Sequence, residues 1–267
     1  MDYSKYDALT VEVLDGIATV TLNRPDARNA ISGDLLDQVE TVWLDIARDE
    51  AIRVVILTGA GKAFSAGGNI KHFAERAGTI EGLRHSLRTP TNTRRLWQNL
   101  LDVEQPIIAA INGDAMGLGA NLALMCDTTV MADTARIADS HVKMGIVAGD
   151  GGAVIWPLLI GPNLAKDFLL RGRVATAAEA RDIRLVNHVV PRDKLMEEAR
   201  KIAVEIATLP IWAVRWTKLS INKQIRGQLN LVLDTSIAYE MLTMQTSDFG
   251  EAARAFLERR APKFIDE

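Results

Sequence analysis

Apolar and polar positions alternate between residues 11 and 23, where Val11, Val13, Ile17, Thr19 and Thr21 flank Asp15-Gly16. A period of two around a tight turn predicts a β-hairpin, and Arg24-Pro25-Asp26 ends it. The period then changes. Leu35, Leu36, Val39, Val42, Trp43 and Ile46 recur at helical spacing behind Ser32, the expected N-cap. Residues 54–58 and 106–111 are short continuous apolar runs, as in strands buried on both faces. Each leads into a glycine-rich turn and then a helix, over residues 69–76 and 119–126. Two more short strands are predicted over 128–132 and 135–138. Strand, glycine turn and helix therefore recur, which predicts an α/β fold built as a spiral of repeated ββα turns rather than a nucleotide-binding sheet.

Residues 79–90, preceded by Gly78 and carrying Gly82 and Pro90, look irregular and read as a lid over a pocket; a helix follows over 91–103. Further helices are expected over 163–170 and from 177, the latter opened by a capping box at Thr176, with a strand over 186–190. From residue 193 the pattern is almost wholly helical: 195–207, 211–225, 229–246 and 249–258, separated by Pro210, Gly227 and Ser247-Asp248. The expected organisation is a core with the active site over 1–192 and a helical capping or assembly region over 193–267.

Composition changes this picture little. The 267 residues are 48% hydrophobic and 24% charged with net charge −3, which argues against a nucleic-acid carrier. The single Cys126 lies in an apolar run and reads as a buried thiol. No secretory signal is read at the start and no apolar run is long enough to span a membrane, so a cytoplasmic protein is the expectation. His72, His85 and His188 lack metal-ligand spacing, so no metal is expected.

The chemistry concentrates in Ala63-Phe64-Ser65-Ala66-Gly67-Gly68-Asn69-Ile70, Asn112-Gly113-Asp114-Ala115-Met116-Gly117-Leu118-Gly119-Ala120-Asn121 and Gly149-Asp150-Gly151-Gly152. Two glycine loops that each begin a helix can aim free backbone N–H groups at one oxygen. With Asn23-Arg24-Pro25, Asn29-Ala30, residues 145–152, Ala177-Glu179-Ala180 and the tail Asp248-Phe249 to Arg259-Arg260, these loops make the chain resemble the crotonase, or enoyl-CoA hydratase/isomerase, superfamily along nearly its whole length. The resemblance implies a ββα spiral, a C-terminal region that builds a homotrimer or a hexamer, and an acyl-CoA substrate, with coenzyme A entering as part of that substrate and no other cofactor. It places the oxyanion-binding N–H groups at Gly68 and Leu118, worth ~3 kcal/mol each as an enolate forms. It places Arg28, Lys71, Phe256 and Arg259 near the CoA nucleotide, the last two from a neighbouring subunit; a solvated face is an equal reading for the basic residues.

The sequence departs from the family at its two usual glutamates, replaced here by Asn121 and His141. An asparagine amide is no base. His141, Asp139 and Asp150 remain. The pattern from His141 through Gly149-Asp150-Gly151 to Trp156-Pro157 resembles a smaller branch, the β-diketone C–C hydrolases of the 6-oxocamphor hydrolase type, in which a His, an Asp and a tail Glu act; the Glu falls at Glu240, for which a structural role competes. A second histidine of that branch falls at Leu118, so the pair His141/Asp150 is carried over and the camphor substrate is not. A histidine near neutral pKa suits base work on water, and Asp150 read alone is an N-cap. Three functions follow: retro-Claisen hydrolysis of a β-ketoacyl-CoA or cyclic β-dicarbonyl, atypical hydration or isomerisation of an enoyl-CoA, or a scaffold without catalysis. Phe73, Trp97 or Trp156 would line a pocket for a bulky ring or belong to the core.

Overall fold

A computed structural model describes residues 1–76 and 79–265. The hairpin β1 (Leu9–Leu14) and β2 (Ile17–Leu22) forms as expected, in antiparallel register with Leu14 opposite Ile17. Helix α1 (Asp34–Arg48) buries Leu35, Val39, Val42, Trp43 and Ile46, the stripe read from the period. Its N-cap is Gly33, not Ser32, and Asp34 and Asp37 meet the positive end of the helix instead. Strand β3 (Val54–Gly59) is buried along its length; α2 (Ile70–Arg76) and α3 (Ile80–Asp102) follow.

The second turn holds β4 (Ile107–Ile111), β5 (Ala115–Met116) and α4 (Leu118–Leu124), and the third β6 (Thr128–Ala132), β7 (Arg136–Ala138) and α5 (Gly152–Arg171). Then come β8 (Ala175–Thr176), α6 (Ala177–Asp182) and β9 (His188–Val190), and the helices α7 (Leu195–Ala207), α8 (Ile211–Thr243) and α9 (Ser247–Glu258). The Thr176 hydroxyl accepts from the Glu179 N–H, as the capping pattern requires.

Six strands form one sheet in the order β1-β2-β3-β4-β6-β9, parallel from β2 onward, and three form a second, β5-β7-β8. Successive turns place one strand in each sheet: β4 and β5, then β6 and β7. The first turn contributes an isolated parallel bridge, Ser65 to Ala115, at the edge of the small sheet. This is the expected spiral. The main core, around Trp43, Trp97 and Trp156, fills one side of the large sheet. On the other side Leu195, Ala199 and Ala203 of α7 pack on Ile17, Val54, Ile56 and Ile108. The expected boundary at 193 thus falls just before a helix that covers the sheet.

Further expectations are corrected. Residues 80–90 are helix rather than an irregular lid: Pro90 lies inside α3, whose N-cap Thr79 accepts from Gly82, and Gly78 lies outside the described residues. Gly227 does not divide the tail, because α8 runs through it for 33 residues. Residues 152–160 are helical as well, and α5 breaks only at Gly161, where φ is 76°. That helix has the length and mean hydropathy (1.3) of a membrane span, where the sequence predicts none; 28% of that window is buried, Trp156 and Phe168 included, and the helix is broken at Gly161.

Candidate active site

The first glycine loop is pinned from behind by Asn29. Its amide donates to the carbonyls of Ala60 (3.0 Å) and Ala63 (2.9 Å), and its Oδ1 accepts from the Arg24 N–H (2.9 Å). Ser65 Oγ donates to the Asn29 carbonyl (2.7 Å) and accepts from the Gly67 N–H (3.1 Å). The second loop lies alongside: the Ser65 N–H donates to Asp114 and the Met116 N–H to Ser65. Gly67 has φ 81°, and a Cβ there would sit 2.5 Å from the Met116 carbonyl oxygen, so only glycine lets the two loops meet. Leu118 is the first residue of α4, so its N–H is among the four that a helix cannot satisfy internally. Gly68 and Leu118 line one cavity, of about 350 Å³.

Opposite them stands a cluster of charge. His141 opens a short 3-10 turn after β7, Asp150 sits in the loop before α5, and Glu240 reaches in from α8. All three line the cavity. His141 Nδ1 bonds Asp139 Oδ1, and its Nε2 lies 3.2 Å from Asp150 Oδ2. Asn121 Nδ2 donates to Asp139 Oδ2 (3.0 Å) and to Asp150 Oδ1 (2.8 Å), while Asn121 Oδ1 accepts from the Trp156 indole N–H (3.1 Å). The Trp97 indole N–H donates to the Asp150 carbonyl (2.8 Å). Asp139 packs so tightly on the start of α5 that a Cβ on Gly152 would lie 1.9 Å from its Oδ2.

The protonation pattern follows. Burial disfavours the His141 cation, but Asp139 and Asp150 on either side override it and hold the ring well above its ordinary range. The shift favours the imidazolium form of His141, in the direction that neighbouring carboxylates give a histidine. Burial raises Asp139 too, yet the adjoining imidazolium keeps it below the usual carboxylate range. Glu240 is 4% exposed, and its Oε2 has no hydrogen-bond partner among the described residues. Burial, and then the charge of Asp150, push it well above the carboxylate range, so it is neutral. The cavity thus holds two buried carboxyl groups, and burial favours the neutral form of Glu240.

Asp139, His141 and Asp150 have donor atoms within 4.8 Å of one another, a spacing a metal could use. Each of these groups is already engaged within the cluster, Asp139 on Nδ1 and Asp150 on Nε2 of His141, and three protein donors are fewer than the four of a closed site.

The remaining sequence-derived residues stand apart from the cavity. Arg28 is exposed at the end of a 3-10 turn, with its carbonyl accepting from the Ala66 N–H. Lys71 is exposed and lies 3.9 Å from Glu75. Phe256 (58% exposed) and Arg259 end α9, while Phe249, near its start, lines the cavity. Trp97 and Trp156 are core residues whose N–H groups hold the site, and the side chain of Phe73 lies outside the described residues. Cys126 is half-buried rather than fully buried; its thiol donates to the Leu122 carbonyl, and its pKa is raised by burial. The sequence reading passed over Asn121 and the two tryptophans as site-builders; the helical spacing of Asn121 from Leu118 was the available signal.

A ββα spiral with two glycine loops converging on a cavity lined by acid–base groups defines an enzyme of the crotonase fold. The chain belongs to the enoyl-CoA hydratase/isomerase family, whose profile matches residues 12–267. It is 34% identical over 261 residues to a probable enoyl-CoA hydratase of Mycobacterium tuberculosis, covering 97% of this chain and 98% of that one. Among solved structures it resembles an enoyl-CoA hydratase/isomerase from Mycobacterium paratuberculosis (TM-score 0.86, 34% identity, 92% of this chain and 97% of that one). It also resembles a beta-diketone hydrolase from the cyanobacterium Anabaena, bound to (S)-3-oxocyclohexyl acetic acid (TM-score 0.82, 29% identity, 91% and 96%).

Proposed function

We propose that this enzyme hydrolyses a carbon–carbon bond, a retro-Claisen cleavage of a β-ketoacyl-CoA or a related cyclic β-dicarbonyl. One observation carries the reading. The position of a hydratase glutamate is taken by an asparagine whose amide hydrogens are both spent on Asp139 and Asp150, and the buried carboxyl groups that line the cavity are Asp150 and Glu240, while Asp37, which also lines it, is exposed.

In this reading water attacks the β-carbonyl carbon and its proton passes to the Asp150–His141 pair. The tetrahedral adduct collapses and the Cα–Cβ bond breaks, its electrons forming an enolate. The enolate oxygen lies between the N–H groups of Gly68 and Leu118, each worth ~3 kcal/mol as charge develops. Neutral Glu240 donates its proton to Cα and regains one from the pair, leaving a carboxylic acid and a shortened acyl product. The walls suit an apolar, bulky acyl group: Leu36, Met116, Met144, Met241, Met244 and Phe249 line the cavity, and methionine adapts to irregular shapes. Arg28 and Lys71 would meet the CoA nucleotide with Phe256 and Arg259 of a neighbouring copy. Residues 193–267 would build the trimer or hexamer, with exposed Phe256 and Leu257 as apolar contacts.

Hydration or isomerisation of an enoyl-CoA is the second reading, favoured by the enoyl-CoA hydratase name of the mycobacterial relative. Incubation in H₂¹⁸O with linear enoyl-CoAs, β-ketoacyl-CoAs, cyclic ketoacyl-CoAs and free cyclic β-diketones, read by mass spectrometry, separates the two. Label in a new carboxylate that depends on Asp150 is expected. Label at Cβ, or a double-bond shift without label, would return the chain to hydration or isomerisation.

A further inference from the structure

The four side chains behind the cavity close on themselves. His141 faces Asp139 through Nδ1 and Asp150 through Nε2; Asn121 donates one amide hydrogen to Asp139 and the other to Asp150. Two residues with two donors each alternate with two carboxylates, and every donor has its own oxygen. The orientation of Asn121 is fixed from outside. An indole N–H can only donate, so Trp156 selects Asn121 Oδ1 and turns the NH₂ group inward.

We infer that Asn121 is a positioning residue: with Trp156 behind it, it closes a four-membered ring of three hydrogen bonds and the His141 Nε2–Asp150 ion-pair contact, which fixes Asp150 toward the cavity and requires His141 to carry both ring protons. A neutral histidine has one N–H, which would leave one carboxylate of the ring facing a bare lone pair. The ring also excludes the glutamate found at this position in hydratases. A carboxylate at 121 would present a third acceptor to Asp139 and Asp150 and supply no donor. The asparagine is therefore a requirement of the charge cluster rather than the relic of a lost catalytic residue.

The groups facing the ring are few. Glu240, neutral in its buried setting, lies on the cavity side; the Trp97 N–H holds the Asp150 backbone; Trp156 holds Asn121. The ring stands on the free protein, whereas its effect on turnover rests on the proposed reaction, and the test separates the two. Free wild-type enzyme labelled with ¹⁵N-histidine is examined by NMR from pH 6 to 9, alongside Asn121→Asp, Asn121→Leu and Trp156→Phe. Wild type is expected to show one histidine with both ring nitrogens protonated throughout, each proton slow to exchange. Asn121→Asp and Asn121→Leu should lose the slow exchange of the Nε2 proton, and Trp156→Phe should weaken it. The kcat of Asn121→Asp should fall about 10²-fold, the loss that accompanies a displaced catalytic group, with KM little changed and a shifted pH profile. A singly protonated His141 in the wild type, which needs no variant to fold, would overturn the ring. So would an Asn121→Asp enzyme with wild-type exchange and pH profile. If the substrate proves to be a hydratase substrate, the NMR result still stands and only the reaction is reassigned.

Discussion

The two walls of the cavity are built from different materials. In the proposed reaction the oxyanion wall is backbone: Gly68 and Leu118 would contribute N–H groups, held by loops that touch through Gly67 and are tied down by Asn29 and Ser65. It carries no formal charge and does not titrate. The acid–base wall is side chain: Asp139, His141, Asp150 and Glu240 crowd into one buried space, and each one's protonation depends on the others. The first kind of wall is stable to pH and to side-chain change. The second is sensitive to both, and it is where this chain departs from the hydratase pattern.

The largest effect should come from Asp150→Asn. It keeps the shape but removes the carboxylate that accepts from His141 and Asn121, and kcat is expected to fall about 10³-fold, within the range a positioned acid–base group supplies. Binding of a product analogue, measured by calorimetry, should change little, because the backbone wall is intact. Loss of binding equal to loss of turnover would erase the contrast between the walls.

Next is Leu118→Pro. Leu118 occupies the first position of α4, where proline is tolerated because its missing N–H has no helical partner. The substitution removes one oxyanion donor and leaves the helix, so kcat should drop 10²–10³-fold. The loss should be the same at every pH, whereas losses on the other wall should vary with pH. A Leu118→Pro profile that changes shape would mean that the walls are coupled.

What the sequence made legible divides along the same line. The spiral was readable because each strand buried on both faces is a continuous apolar run and each turn ends in glycine: the runs 54–58 and 106–111 fell where β3 and β4 lie. Gly68 and Leu118 were readable as cavity-lining residues because they lie in glycine loops beside helices, and their part as donors belongs to the proposed reaction. His141, Asp150 and Glu240 were readable as residues, through the family branch, but not as a charge state. That state depends on Asp139 meeting the far ring nitrogen and on Trp156 turning the Asn121 amide, contacts between residues up to 35 positions apart. Local pattern also misled at Pro90 and Gly227, both read as breaks although tertiary packing carries α3 and α8 through them.

Glu240→Gln sharpens the contrast from the stability side. Glu240 has its folded pKa raised above the unfolded value of 4.5, first by burial and then by Asp150. Such a group contributes stability that is fully present below pH 4.5 and is lost as pH rises through the folded pKa. Glutamine stays neutral and escapes that loss. Thermal melts from pH 5 to pH 9 should show wild type losing more stability than Glu240→Gln as pH rises. His141 titrates in both proteins, with its own contribution present below 6.5 and lost above its raised pKa, and because it interacts with Glu240 the difference between the two series reports Glu240 together with its effect on His141. Turnover of Glu240→Gln should fall about 10²-fold as the acid is removed, and its residual activity should lack the alkaline limb set by Glu240. Parallel melting curves would place the proton elsewhere in the cluster.

The smallest effect should come from Leu118→Ala. The side chain lines the cavity, yet the group that matters to the enolate is the N–H, which alanine retains, and alanine is the best helix former for that position. The kcat should stay within about threefold of wild type, and KM should rise modestly because the removed apolar atoms no longer contact the acyl group, roughly 0.8 kcal/mol for each buried methylene. Set beside the 10²–10³-fold loss expected for proline at the same residue, the result asks whether position 118 acts through its backbone. A kcat loss in Leu118→Ala as large as that in Leu118→Pro would show that packing rather than the N–H sets the rate, and the oxyanion wall would then depend on side chains as much as the wall it faces.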